Sequence, residues 1–171
     1  MWKIFLVYFV IFSISILSLS AQKSVDVDGR LQPLLTDFFA KCDAYGIPYN
    51  DKLFKLKKID IVDTLPLSEN GSVLGKVERN IDGEIESIII NWVVLLDEEI
   101  LKVVAFHEFA HHFLEYKHTC QDCNEIMAVQ NKSYFAVARD WDNQVEHLFT
   151  TSPAYLETIK SSTIVSIDYI N

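Results

Sequence analysis

The chain has 171 residues, half of them hydrophobic and 23% charged, and carries a formal net charge of −9. That composition fits one packed globular domain and excludes a disordered or low-complexity chain. The acidic balance, with no dense Lys/Arg cluster, argues against nucleic acid and anionic membrane surfaces as partners, since both require a basic patch.

Met1 to Lys3 gives a short positive start. Ile4 to Leu19 is apolar apart from three serines, and small residues follow in Ser18-Leu19-Ser20-Ala21. This order predicts a secretory signal peptide over residues 1–21 and an exported domain over 22–171, with no stable membrane association after cleavage. Leu31, Leu34, Leu35, Phe38, Phe39 and Cys42 form a helical stripe that Gly46 and Pro48 end. Leu56 to Val62 predicts a strand, and the alternation from Lys52 to Lys58 reads as its solvated side. Residues 63–71 read as a loop. Val73 to Ile81 and Ile85 to Trp92 flank Asp82-Gly83, a hairpin signal. The unbroken run Ile88-Ile89-Ile90 belongs inside a sheet or along a cleft. If Ile85 to Asn91 were a sheet edge, it could hold an extended substrate.

Asp97, Glu98 and Glu99 open a long helix expected to run to about Tyr116, their charges offsetting the positive end of its dipole. An irregular stretch is expected from His118 to Lys132, then Tyr134 to Ala138. Helices follow around Asp142 to Phe149 and from Pro153 to Lys160. The expected fold class is therefore α+β: a short mixed sheet, one long helix and C-terminal helices in a single domain.

The long helix contains His107-Glu108-Phe109-Ala110-His111, an H-E-x-x-H pattern. Residues four apart share a helix face, so both imidazoles can reach one metal ion, and neutral imidazole is a good zinc ligand. Glu108 is turned about 100° from His107. Its carboxylate can stand beside the metal and take a proton from a water without being a ligand. A third ligand is required. His118 lies seven residues past His111, where the helix must stop and the chain turn back, while Glu146 on a later helix is the runner-up and His147 a weaker candidate. His112 points about 100° away from His111 and reads as a supporting or surface residue.

His107-Glu108, His111 and His118, followed by Glu125-Ile126-Met127, resemble the metzincin branch of the zincins, above all a group of small secreted bacterial metallopeptidases. The resemblance implies a zincin-like domain with His107, His111 and His118 as zinc ligands and Glu108 as general base. It also implies Met127 in a tight turn under the metal, and a peptide or protein substrate. An inactive zincin-fold binding protein is the alternative, and the intact Glu108 speaks against it. In one respect the chain departs from the pattern. Metzincins carry a glycine between the second and third histidines, where the backbone turns left-handed. Here Leu114, Glu115 and Tyr116 occupy that region, and a non-glycine residue in that conformation costs about 1–2 kcal/mol.

Tyr134 and Tyr155 are candidates for stabilising the oxyanion of a tetrahedral intermediate. Among the three cysteines, a Cys120–Cys123 disulfide stiffening the loop is expected after export. Pairing of Cys42 with either of them is the alternative. A second, structural zinc site at the pair lacks two further ligands.

Overall fold

The computed structural model describes residues 24–65, 67–68 and 71–168. The signal peptide expected over residues 1–21 lies outside them. None of the described helices is long and apolar enough to cross a membrane.

The domain is α+β, as expected. Its main sheet has four strands in the order β1-β2-β6-β5: β1 (Asp26–Val27), β2 (Lys58–Val62), β6 (Ile85–Asn91) and β5 (Gly75–Arg79). β1, β2 and β6 run parallel, and β5 runs antiparallel beside β6. β6 has a strand on either side, and Ile88, Ile89 and Ile90, which alternate between its two faces, are all buried. The edge role considered for Ile85 to Asn91 is thus overturned. The edge on this side is β5, which reaches β6 through a turn where Gly83 adopts φ +82° and Asn80 Oδ1 accepts from the amides of Asp82 and Glu84. A two-residue pair, β3 (Leu67–Ser68) and β4 (Gly71–Ser72), lies in the segment expected to be a loop.

Helices α1 (Gln32–Ala44) and α3 (Glu98–Phe113) cross in the core. Phe38 of α1 meets the rings of Phe106 and Phe109 at 5.2 and 5.5 Å edge-on, and that of Phe149 at 5.1 Å. Such aromatic contacts contribute about 0.5–1.5 kcal/mol each beyond area burial. They fix the rotation of α3 about its own axis. Its start is set by Asp97, whose carboxylate accepts from the amides of Glu99 and Ile100, an N-cap interaction of about 1 kcal/mol.

Two expectations fail between these landmarks. Lys52 to Lys55 is not strand surface but part of a short helix, α2 (Asn50–Lys55), lying against α3. The stretch from His118 to Lys132 is not wholly irregular, since β7 (Cys120–Cys123) and β8 (Ala128–Asn131) pair in parallel. After them come α4 (Tyr134–Arg139), α5 (Trp141–Thr150) and α6 (Pro153–Asp168).

Candidate metal centre and cleft

His107 and His111 project from one side of α3 into a cavity of about 680 Å³, walled by β5 on one flank and β8 on the other. Each ring is held through its inner nitrogen. His107 Nδ1 is 2.7 Å from the carbonyl of Ile126, and His111 Nδ1 is 2.7 Å from the carbonyl of Tyr116. A carbonyl can only accept, so both Nδ1 atoms carry the proton and both Nε2 atoms keep a bare lone pair. Those Nε2 atoms stand 3.0 Å apart, and His118 Nε2 lies 3.2 Å from each. Two bare lone pairs facing each other do not hydrogen-bond. Three ligand nitrogens at these spacings match bonds of about 2.0–2.1 Å to one ion with angles of roughly 95–105°. His107, His111 and His118 therefore form a group that could hold a metal ion.

Electrostatics keep the rings neutral. Burial, and next the neighbouring His111, push His107 down to about 3. Burial also lowers His111, although its bond to the Tyr116 carbonyl opposes this, and burial lowers His118. Neutral imidazole is the form that ligates.

The turn that brings His118 back is the one where a glycine is missing. Glu115 takes φ +57°, the only positive φ at a non-glycine residue among those described. The amides of Leu114 and Tyr116 both close onto the carbonyl of Ala110 at 3.1 Å. Lys52 braces this exit from outside: its Nζ donates to the Phe113 carbonyl at 2.9 Å and pairs with Glu115 Oε1 at 2.8 Å. The Lys52 carbonyl also accepts from His112 Nε2 at 2.8 Å. His112 is thus buried on the α2 side of the helix, outside the cleft.

A second support comes from α5. Gln144 accepts from the Ile126 amide at 3.3 Å and donates to the Asn124 carbonyl at 3.2 Å, so it holds the residue whose carbonyl, in the following peptide, meets His107. Met127, next in the chain, is buried, and the turn around it closes with the Ala128 amide on the Glu125 carbonyl. The Thr119 amide donates to the Met127 carbonyl at 3.0 Å, tying that turn to the residue after His118. Cys120 and Cys123 are disulfide-bonded within β7. Cys42 is free and buried, and burial pushes its thiol up to about 12. The alternative pairing of Cys42 is excluded.

Glu108 also lines the cavity, with only 4% of its surface exposed, and burial pushes its carboxyl up to about 8. Tyr134 lines the same cavity, and burial together with the Glu108 charge raises its hydroxyl. Tyr155 does not reach the cleft: its ring packs edge-on to Tyr45 at 5.7 Å. Glu146 and His147 are exposed on α5 and do not line the cavity. The structure brings His118, not Glu146, to the two helical histidines.

Sequence reasoning missed Lys52, Gln144 and Gly75, the last of which lines the cavity from β5, as parts of this site. For the first two the signal is long-range packing, which no local pattern carries. The chain matches no family model, no curated protein and no solved structure.

Proposed function

We propose that this protein is a zinc-dependent metallopeptidase in which His107, His111 and His118 hold the metal and Glu108 is the general base. One observation carries the reading: three imidazole Nε2 atoms within 3.2 Å of one another, on a cleft that also holds a buried carboxylate. Nitrogen-only donors in a three-ligand set with an open side suit zinc in its catalytic form. Zinc bound there supplies Lewis acidity, polarising a carbonyl oxygen and acidifying a water.

The chain's own residues do the rest. Glu108 takes a proton from the attacking water and delivers it to the amide nitrogen as the carbon–nitrogen bond breaks. A carboxyl raised towards neutrality suits both halves of that task, and an adjacent cation favours its charged form. The Tyr134 hydroxyl donates to the carbonyl oxygen as negative charge grows there. Apolar side chains of Val77, Val103 and Val104 line part of the cleft, and the low dielectric they lend it strengthens both interactions. Peptide as substrate rests on the metzincin resemblance. Export rests on Met1 to Ala21, and a Cys120–Cys123 disulfide agrees with an oxidising compartment.

The test is metal content beside peptide cleavage. Wild type should retain one zinc per chain and cleave unstructured peptides. Glu108→Gln should keep the metal and lose roughly 10²–10⁴-fold in kcat. His118→Ala should lose the metal, whereas Glu146→Ala should keep it. Equal cleavage by Glu108→Gln, or a wild type without stoichiometric zinc, would sink the reading. A protein that holds zinc and cleaves nothing would instead be the binding module.

A further inference from the structure

Among the described glycines, Gly46 and Gly83 are needed for their backbone conformation, with φ of +66° and +82° and open space where a side chain would go. Gly75 is the reverse case. Its φ lies outside the left-handed region, so its backbone is one that any residue can adopt. Space is what it lacks. A Cβ built there would sit 2.6 Å from Glu108 Oε1, 2.7 Å from Cγ and 2.9 Å from the carboxyl carbon. Real Cβ atoms essentially never make contacts that short, so the Glu108 side chain occupies the space in which a side chain at Gly75 would begin.

The approach is held from behind. Asn91, at the end of β6, donates its backbone amide to the Leu74 carbonyl at 2.8 Å and its side-chain amide to the Val73 carbonyl at 3.2 Å. The two residues before Gly75 are thereby fixed to the sheet, and the register Gly75↔Ile90 follows. On the other side, the aromatic contacts of Phe106 and Phe109 fix α3. Neither β5 nor the helix is free to back away from an added methyl group. The flexible partner is the Glu108 side chain, which would have to swing out of its present place.

We propose that Gly75 is a positioning residue, whose missing side chain makes the seat that sets the direction of the Glu108 carboxylate in the cleft. The role in turnover rests on the metallopeptidase reading. The contact itself does not. Catalytic groups tolerate little displacement, and a shift of about 1 Å can reduce turnover by about 10²-fold.

Two measurements on full-length chains test this. The first is a thermal-unfolding cycle of wild type, Gly75→Ala, Glu108→Ala and Gly75→Ala/Glu108→Ala. Removing the Glu108 side chain beyond Cβ deletes all three crowding atoms. Gly75→Ala should therefore lower Tm by several degrees in wild type, and leave it equal or slightly raised beside Glu108→Ala, because alanine is otherwise preferred to glycine within a strand. Equal losses in both backgrounds would overturn the contact, whatever the protein turns out to catalyse. The second is zinc content with steady-state kinetics. Gly75→Ala should keep stoichiometric metal and an unchanged KM, and lose 10²-fold or more in kcat. A variant with full metal and kcat within threefold of wild type would overturn the positioning role. An inactive wild type with the expected cycle would leave the seat standing and refute the peptidase reading alone.

Discussion

Glu115 offers a test of whether the helix exit is strained. At an ordinary helical position, alanine is more stable than glycine by about 0.5–1 kcal/mol, because glycine loses more chain entropy on folding. At φ +57° a Cβ costs about 1–2 kcal/mol. The order should therefore reverse, with Glu115→Gly more stable than Glu115→Ala by about 0.75 kcal/mol from the middle of the two ranges, or roughly 1.5–3 °C in Tm for a chain of this size. Both variants lose the Lys52 pair, so it cancels from the comparison. The pair itself shows in wild type against Glu115→Ala. With 58% of the Glu115 side chain exposed, it contributes no more than about 1 kcal/mol. Lys52 holds the Glu115 carboxyl below its ordinary value. A depressed folded pKa means that this contribution is complete above the unfolded pKa and fades as pH falls through the folded one. Wild type and Glu115→Ala should converge in acid, while the gap between Gly and Ala persists. Calorimetry at neutral pH and at successively lower pH measures both. An alanine variant as stable as the glycine variant at neutral pH would refute the strained exit.

Gln144→Met keeps side-chain volume but drops both bonds to the Asn124–Ile126 peptides, and should weaken metal affinity roughly 10–100-fold in competition with a chelator. Unchanged affinity would show that the His107 support does not depend on α5. Cys120→Ser/Cys123→Ser opens a short ring, for which the chain-entropy relation gives about 2 kcal/mol, so Tm should fall by roughly 4–8 °C. A Tm that does not move would mean that β7 needs no staple. His112→Leu strands the Lys52 carbonyl at a cost of about 1–3 kcal/mol yet should leave metal stoichiometry at that of wild type. Loss of the metal in a folded His112→Leu would contradict its placement outside the cleft.

The parts of the site written in the helical period were legible in the sequence. Four-residue spacing put His107 and His111 on one face, and the need for a third ligand pointed to His118, seven residues past His111, where the helix has to stop. Ile88-Ile89-Ile90 likewise betrayed a strand covered on both faces, although that same run argued against the edge role considered for it. Other parts are tertiary. The alternation from Lys52 to Lys58 looks like a strand in isolation, but Lys52 is drawn into a helical turn because α3 ends there with a carbonyl and a carboxylate to satisfy. β7 and β8 have four residues each, too few to show a period of two. Gly75 gave no local signal because what it lacks is room, and the atoms that take that room come from a residue 33 positions later.

The features that oppose folding here converge on a single place. Three imidazole Nε2 atoms converge on one point, a carboxyl is buried in the space that a side chain at Gly75 would take, and a non-glycine residue sits left-handed at the turn between His111 and His118. Each is unfavourable by itself, and a cation at the centre would convert the first into bonds and favour the charged form of the second. Stability should therefore be linked to metal by mass action. Free zinc at 100 times its Kd adds about 2.7 kcal/mol, or roughly 5–11 °C in Tm at 2–4 °C per kcal/mol. In protein first treated with a chelator, a zinc titration should raise Tm by that amount in wild type. The rise should be much smaller in His118→Ala, and of wild-type size in Glu146→Ala. An unmoved wild-type Tm would remove the metal centre, and an equal rise in His118→Ala would remove its third ligand. A flat response in Glu146→Ala alone would shift that ligand to α5, against the exposed position of Glu146.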